Sequence, residues 1–174
     1  MANAAEAGTA NQIGFEEILR DRQSMVFSIA YHFLRDRAAA EELAQDVFLQ
    51  LYRNLDSLES PEHVTRWLRR VATNRCIDYC RRRRLAPQIG LDEIREPATP
   101  AAPEDPMLGR ALRQLVASLP EKWRALIILK YQEEMENEEI AQTLDIPLGT
   151  VKSQLSRALD LLREKASRVL GARQ

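Results

Sequence analysis

Eight arginines fall between residues 66 and 84, at Arg66, Arg69, Arg70, Arg75 and Arg81 to Arg84, with Asp78 the single acid among them. Trp67, Asn74 and Tyr79 are interleaved with them. Guanidinium groups pair with phosphates, while aromatic and amide side chains stack on or hydrogen-bond an unstacked base. A membrane-surface helix and a plain solvated face are the other readings of a basic run. The inward position of Trp67 within a packed module argues against the membrane. A polyanion is the partner that this stripe suggests.

A second constellation lies further along. Asn137 to Leu144 reads as a short helix with Ile140, Ala141 and Leu144 inward. Asp145-Ile146-Pro147 breaks it, Pro147 suits the first turn of the next helix, and Val151, Leu155, Ala158, Leu159 and Leu162 form that helix's buried stripe. Two helices joined by so short a turn, with a small residue where they cross, make a helix-turn-helix. Its second helix presents Lys152, Ser153, Ser156 and Arg157 outward near the N-terminal end, where side chains reach bases and phosphates in a major groove. An αα-hairpin with a basic face fits composition alone about equally well. The arginine stripe in the same chain tips the balance to nucleic acid.

The elements that position these groups read as helices throughout. The stripe Ala40, Leu43, Ala44, Val47, Phe48, Leu51, Tyr52, Leu55 has helical spacing, and Phe15, Ile18, Leu19, Val26, Ile29, Ala30 and Phe33 give an earlier helix. A third starts after Ser60-Pro61, an N-cap followed by Pro at the first position, and buries Val64, Trp67, Leu68, Val71, Cys76 and Tyr79. No run alternates with period two for long enough to make a strand. Five of the eight prolines fall in 85–107, which reads as an extended, flexible linker. The fold expected is all-α, with two small helical domains: a disordered N-terminus over 1–11, a first domain at 12–84, the linker at 85–107 and a second domain at 108–174.

Composition narrows the function. Charged residues are 29% and hydrophobic ones 45%, enough to build cores. The net charge of −1 conceals blocks of −6 over 1–62, +7 over 66–84, −4 over 85–107 and +2 over 108–174. Charges interrupt every long apolar run, which excludes a membrane-spanning helix, and Met1 to Asn11 has no basic region to suggest a secretory signal. Cys76 and Cys80 are the only cysteines, and His32 and His63 the only histidines. The thiols therefore read as core or half-buried groups in a reducing cytoplasm, and neither metal nor cofactor is expected. An enzyme is excluded for want of a carboxylate pair, histidine cluster or Gly-rich phosphate loop at usable spacing.

Both modules resemble one family, the extracytoplasmic-function RNA polymerase sigma factors. The first is similar to the sigma-2 domain through AEELAQDVFLQLY (Ala40–Tyr52) and WLRRVATNRCIDYCRRRR (Trp67–Arg84). The second is similar to sigma-4 through LPEKWRALIILKY (Leu119–Tyr131) and EEIAQTLDIPLGTVKSQLSRA (Glu138–Ala158). The resemblance implies a sigma-2 helical bundle and a sigma-4 helix-turn-helix. It also implies that the helix carrying Gln45, Asp46, Phe48 and Leu49 docks on the clamp of the largest subunit of core RNA polymerase. Leu49, an apolar residue on a polar face, would otherwise read as incidental.

By the same resemblance, the arginine-rich helix melts the minus-ten promoter element. Asn74 lines a pocket for a flipped base with the loop from Leu58 to Thr65, and His63, Arg75, Asp78, Arg81 and Arg82 contact the DNA. Base capture of this kind offsets the unstacking cost without ATP. Lys152, Ser153, Ser156 and Arg157 would read the minus-thirty-five element, and residues around Leu126 to Leu129 would hold the flap of the second-largest subunit. A separate anti-sigma factor, clamped between the modules, is the expected regulator. Geometry agrees: the linker can reach roughly 75 Å at ~3.3 Å per residue, and promoter elements about 20 base pairs apart lie roughly 70 Å apart.

The chain departs from the family's pattern at the turn residue Asp145, where Gly is usual, at Gln154, where Arg is common, and at the small Ser156. Asp145 must then tolerate a left-handed backbone, or the turn must shift. The competing reading is a stand-alone helix-turn-helix regulator that binds paired half-sites as a dimer.

Overall fold

A computed structural model of the chain describes the backbone of residues 4–85 and 106–171 and the side chains of 14–85 and 109–168. Its elements are α1 (Ala4–Leu34), α2 (Arg37–Asn54), a 3-10 turn at Leu55–Ser57, α3 (Pro61–Leu85), α4 (Pro106–Ala117), α5 (Glu121–Tyr131), α6 (Asn137–Leu144) and α7 (Leu148–Gly171). The all-helical expectation holds among the described residues. Leu85 closes α3 and Pro106 opens α4, and the rest of the expected linker lies outside the described residues.

Caps and turns explain where helices stop. Arg35 turns left-handed at φ 59° and its N–H donates to the Tyr31 carbonyl at 2.9 Å, which ends α1. Asp36 then caps α2, its carboxylate accepting from the Ala39 N–H at 3.0 Å. Ser60 caps α3 by accepting from the His63 N–H at 3.1 Å, with Pro61 in the first helical position as expected. At α6 the Glu136 N–H donates to the Glu139 carboxylate at 2.9 Å, within a reciprocal capping box. Asp145 ends α6 at φ 55°, ψ 50°, so of the two alternatives it adopts the left-handed backbone. Pro147 lies one residue before α7 rather than inside it, and its carbonyl accepts the first bonds from Thr150 and Val151.

Val26, Ile29 and Phe33 of α1, Leu43, Val47 and Leu51 of α2, and Leu68, Ala72 and Cys76 of α3 are buried together in the first module. Leu126, Ile128 and Leu129 of α5, Met135, Ile140 of α6, and Val151, Leu155 and Ala158 of α7 are buried in the second. The two cores are continuous, because α5 packs on α1 and α3, and α6 packs on α3. That contact is invisible to helical periodicity, which reports that a face is buried and not what buries it.

Three details differ from the sequence reading. α1 begins at Ala4, so Ala4–Asn11, expected to be disordered, belongs to a helix; its alanines are the strongest helix formers. Tyr52, placed on the buried stripe, is exposed and stacks edge-on against Phe15 with ring centroids 5.3 Å apart. Leu126 to Leu129 all lie in the core, so in this form they are closed to a partner. The exposed large apolar side chains described in the second module are Leu112 and Tyr131.

Burial pushes the Cys76 thiol far up, with neighbouring Cys80 adding to the shift, and Cys80 is raised too, against the opposing charge of Arg124. Thiolate is the reactive form. With iodoacetamide at pH 8, the folded chain should be alkylated at Cys76 at least about tenfold more slowly than the urea-unfolded chain. Equal rates by mass spectrometry would show that α3 opens readily.

The left-handed backbone at Asp145 generates a second prediction. Its ion pair with Arg70 spans 3.8 Å between largely exposed side chains, so it contributes little. Asp145→Gly should therefore stabilise the fold by about 1 kcal/mol, and Asp145→Val should destabilise it by a similar amount. Urea unfolding of the two variants checks both signs.

Candidate nucleic-acid interface

On α3, Asn74, Asp78 and Arg81 recur at helical spacing and are exposed, so they form one stripe. His63 lies three turns earlier on the same azimuth, about 16 Å along the axis. It is half-buried, and its Nδ1 accepts from the Glu59 N–H at 3.5 Å. Arg82 is exposed and borders the stripe. Arg75 belongs elsewhere: its Nη2 donates to Gln50 Oε1 at 2.9 Å and its Nη1 lies 3.8 Å from Asp46. The arginine is thereby tied to α2.

Asn74, though exposed, also borders the second module. With Ile77 it lines a cavity of about 220 Å³ shared with Lys122, Leu126, Leu144 and Gln154 of the second module. Gln154, where the family commonly carries Arg, is half-buried against this cavity. Helical spacing within one module could not have found this neighbourhood.

On α7, Lys152 and Ser156 lie one turn apart, as do Ser153 and Arg157, and all four are exposed. Val151, Leu155 and Ala158 hold the opposite face in the core. The helix-turn-helix reading therefore has the required geometry: a short supporting helix, a three-residue turn and an exposed polar face at the start of the second helix. Lys152 Nζ is 4.0 Å from Glu138, a pair exposed at both ends that a phosphate could displace at little cost.

On α2, Gln45, Asp46 and Leu49 are exposed, Leu49 at 57%, whereas Phe48 is buried. Phe48 and Leu49 line an apolar groove of about 590 Å³ together with Phe15, Leu19 and Phe27 of α1. The sequence pointed to α2 alone and missed the α1 wall. Helical spacing placed Phe15 and Leu19 on an earlier helix and said nothing of Phe27.

Between the modules, burial raises the Glu133 carboxyl above the usual carboxylate range, opposed by a hydrogen bond of 3.1 Å from the Ser28 hydroxyl and by Arg69. No cluster of three metal-ligating side chains occurs among the described residues. Nor is any described helix long and apolar enough to cross a membrane.

The sigma-70 region 2 family matches residues 18–86, and sigma-70 region 4 matches 109–162. The chain is 32% identical to the ECF RNA polymerase sigma factor SigW of Bacillus subtilis over 168 residues, spanning 89% of this chain and 90% of that protein. It is 32% identical to the RNA polymerase sigma-E factor of Streptomyces coelicolor over 160 residues, or 91% and 90% of the two. Among solved structures, the sigma factor RpoE in complex with the anti-sigma factor NepR, from Bartonella quintana, superposes with a TM-score of 0.69 at 22% identity, covering 87% of this chain and 95% of that one. CnrH in complex with the cytosolic domain of CnrY gives 0.66 at 23% identity, covering 98% and 96%. At that identity these two speak for the fold. With both regions matched in order and relatives aligned over nearly their full length, the chain belongs to the extracytoplasmic-function family of RNA polymerase sigma factors.

Proposed function

We propose that this sigma factor binds core RNA polymerase in the cytoplasm, directs it to promoters through two DNA elements and promotes melting of the start region, without catalytic chemistry of its own. The observation that carries the reading is the pairing of two exposed faces in one chain. The α7 face of Lys152, Ser153, Ser156 and Arg157 suits the major groove of a minus-thirty-five element. The α3 stripe of Asn74, Asp78 and Arg81, with Arg82 at its border and His63 on its azimuth, suits an unpaired minus-ten strand. Neither face alone needs a polymerase.

The groove between α1 and α2 supports a docking role for Gln45, Asp46 and Leu49 on the clamp, with Phe48 forming the floor. An exposed leucine beside an apolar groove is a natural anchor for a partner helix. Arg75, held by Asp46 and Gln50, braces this face against α3 rather than reaching for DNA.

Control by a separate anti-sigma factor is part of the proposal, since a sigma factor of the same fold was solved with such a partner. Direct packing of α5 and α6 on α1 and α3 brings the two modules into contact. An inhibitor clamped between the modules, as the resemblance implied, would meet these contacts.

Run-off transcription with purified core polymerase on genomic fragments tests the reading. Discrete start sites should appear only with the protein present, and Asn74→Ala or Lys152→Ala should reduce them at least about tenfold. Leu49→Arg should lower affinity for core by at least about tenfold while helical content is unchanged. Duplex binding as a dimer, with no affinity for core, would replace this reading with the stand-alone regulator.

A further inference from the structure

A cavity of about 250 Å³ lies where α1, α3 and α6 meet, and three arginines line it: Arg22 from α1, and Arg66 and Arg69 from α3. Other arginines of α3 are paired, Arg70 with Asp145 and Arg75 with Asp46. Arg22, Arg66 and Arg69 form no ion pair with another described residue. The Arg69 Nε is buried and has no hydrogen-bond partner among the described residues. An unpaired buried donor on a guanidinium is costly, and native structures usually answer one with an acceptor.

Two carboxylates also line the cavity, Glu62 and Glu139, but each is engaged elsewhere. Glu139 accepts from the Glu136 N–H at 2.9 Å within the capping box of α6. The Glu62 carboxyl is held below its ordinary range by its own backbone N–H and by the Ser60 hydroxyl, with Arg22 a lesser cause. Glu133, which also feels Arg69, does not line the cavity. The arginines are therefore the groups with donors to spare. Glu62, Arg66 and Arg69 recur at helical spacing on a face of α3 about 130° round the axis from the Asn74 stripe. This face is distinct from the one assigned above to the minus-ten strand.

We propose that this cavity binds a small phosphorylated metabolite, its phosphate oxygens shared among Arg22, Arg66 and Arg69 and its carbon part set against Met135 and Gln142. A guanidinium fork engages two oxygens at once, so a carboxylate would occupy one arginine, whereas a phosphate has oxygens enough for several. Thr143, buried on α6, adds a hydroxyl donor to the wall, and buried Met135 supplies an apolar surface. The volume falls below the roughly 300–1,000 Å³ of sites for drug-sized ligands, which points to a compact molecule and excludes a DNA duplex. The inference goes beyond the promoter reading and does not depend on it.

Thermal unfolding and titration calorimetry of the full chain test the site, with ribose 5-phosphate, pyrophosphate and inorganic phosphate as probes and sodium chloride of matched ionic strength as control. Millimolar ribose 5-phosphate should raise the unfolding midpoint by at least about 2 °C over the chloride control. Arg22→Gln and Arg69→Gln should each weaken its binding by at least about tenfold. Arg66→Gln alters an exposed side chain and keeps the test decisive should either half-buried substitution unfold the chain. Arg20→Gln, outside the cavity, should bind as the unmodified chain does. Three outcomes overturn the proposal. One is a midpoint no higher than in chloride, and another is equal binding by all four folded variants. The third is displacement of the probe by a short random duplex, which would assign the arginines to DNA phosphates. Inorganic phosphate or pyrophosphate binding as tightly as the sugar phosphate would replace the metabolite with the free anion. No polymerase or promoter takes part, so failure here leaves the sigma reading untouched.

Discussion

Arg124 joins two helix ends that would otherwise be left with unpaired carbonyls. Phe33 lies in the last turn of α1 and Ala117 closes α4, positions at which a helix has no partner of its own for its C=O groups. Both ends carry partial negative charge, and one guanidinium with its forked donors answers them together. A half-buried charge is best tolerated while those acceptors stay in place. The register of α5 against α1, and with it the placement of the second module, follows from that requirement.

Much of this architecture is legible in the chain because its helices are amphipathic and explicitly capped. Ser60-Pro61 announces α3, and the Glu136–Glu139 box and left-handed Asp145 bracket α6. The starts of α1 and the turn at Arg35 are harder to see. Arginine has no intrinsic preference for the left-handed region, so only the packing of α1 on α2 places it there. Arg124 is hidden for a related reason. It stands in the apolar run WRALIIL, where its one signal is a charge between buried neighbours, and nothing local says which carbonyls will meet it.

The candidate site was read with similar unevenness. Exposed faces on α7 and α3 follow from spacing, because side chains one turn apart must share a side. Arg75 is the instructive exception. Its position in an arginine-rich helix pointed to DNA, yet its azimuth turns it toward Asp46 and Gln50. The apolar groove needed α1 and α2 together, and the cavity around Asn74 needed both modules. Sequence reveals what one element can offer, and surfaces made by two elements require the fold.

Arg81 to Arg84 follow one another at the end of α3 and are all exposed. Consecutive residues on an α-helix step by about 100°, so four of them encircle the axis and cannot all contact the same strand. Their shared effect is a collar of positive potential, favoured at a helix C-terminus and felt from any direction of approach. Such a collar accelerates encounter with a polyanion without dictating orientation, and dissolved salt weakens it over a Debye length of about 8 Å. On the proposed reading, attraction of DNA draws on the whole collar, whereas contact with the unpaired strand draws on Arg81 and Arg82 alone among its four arginines.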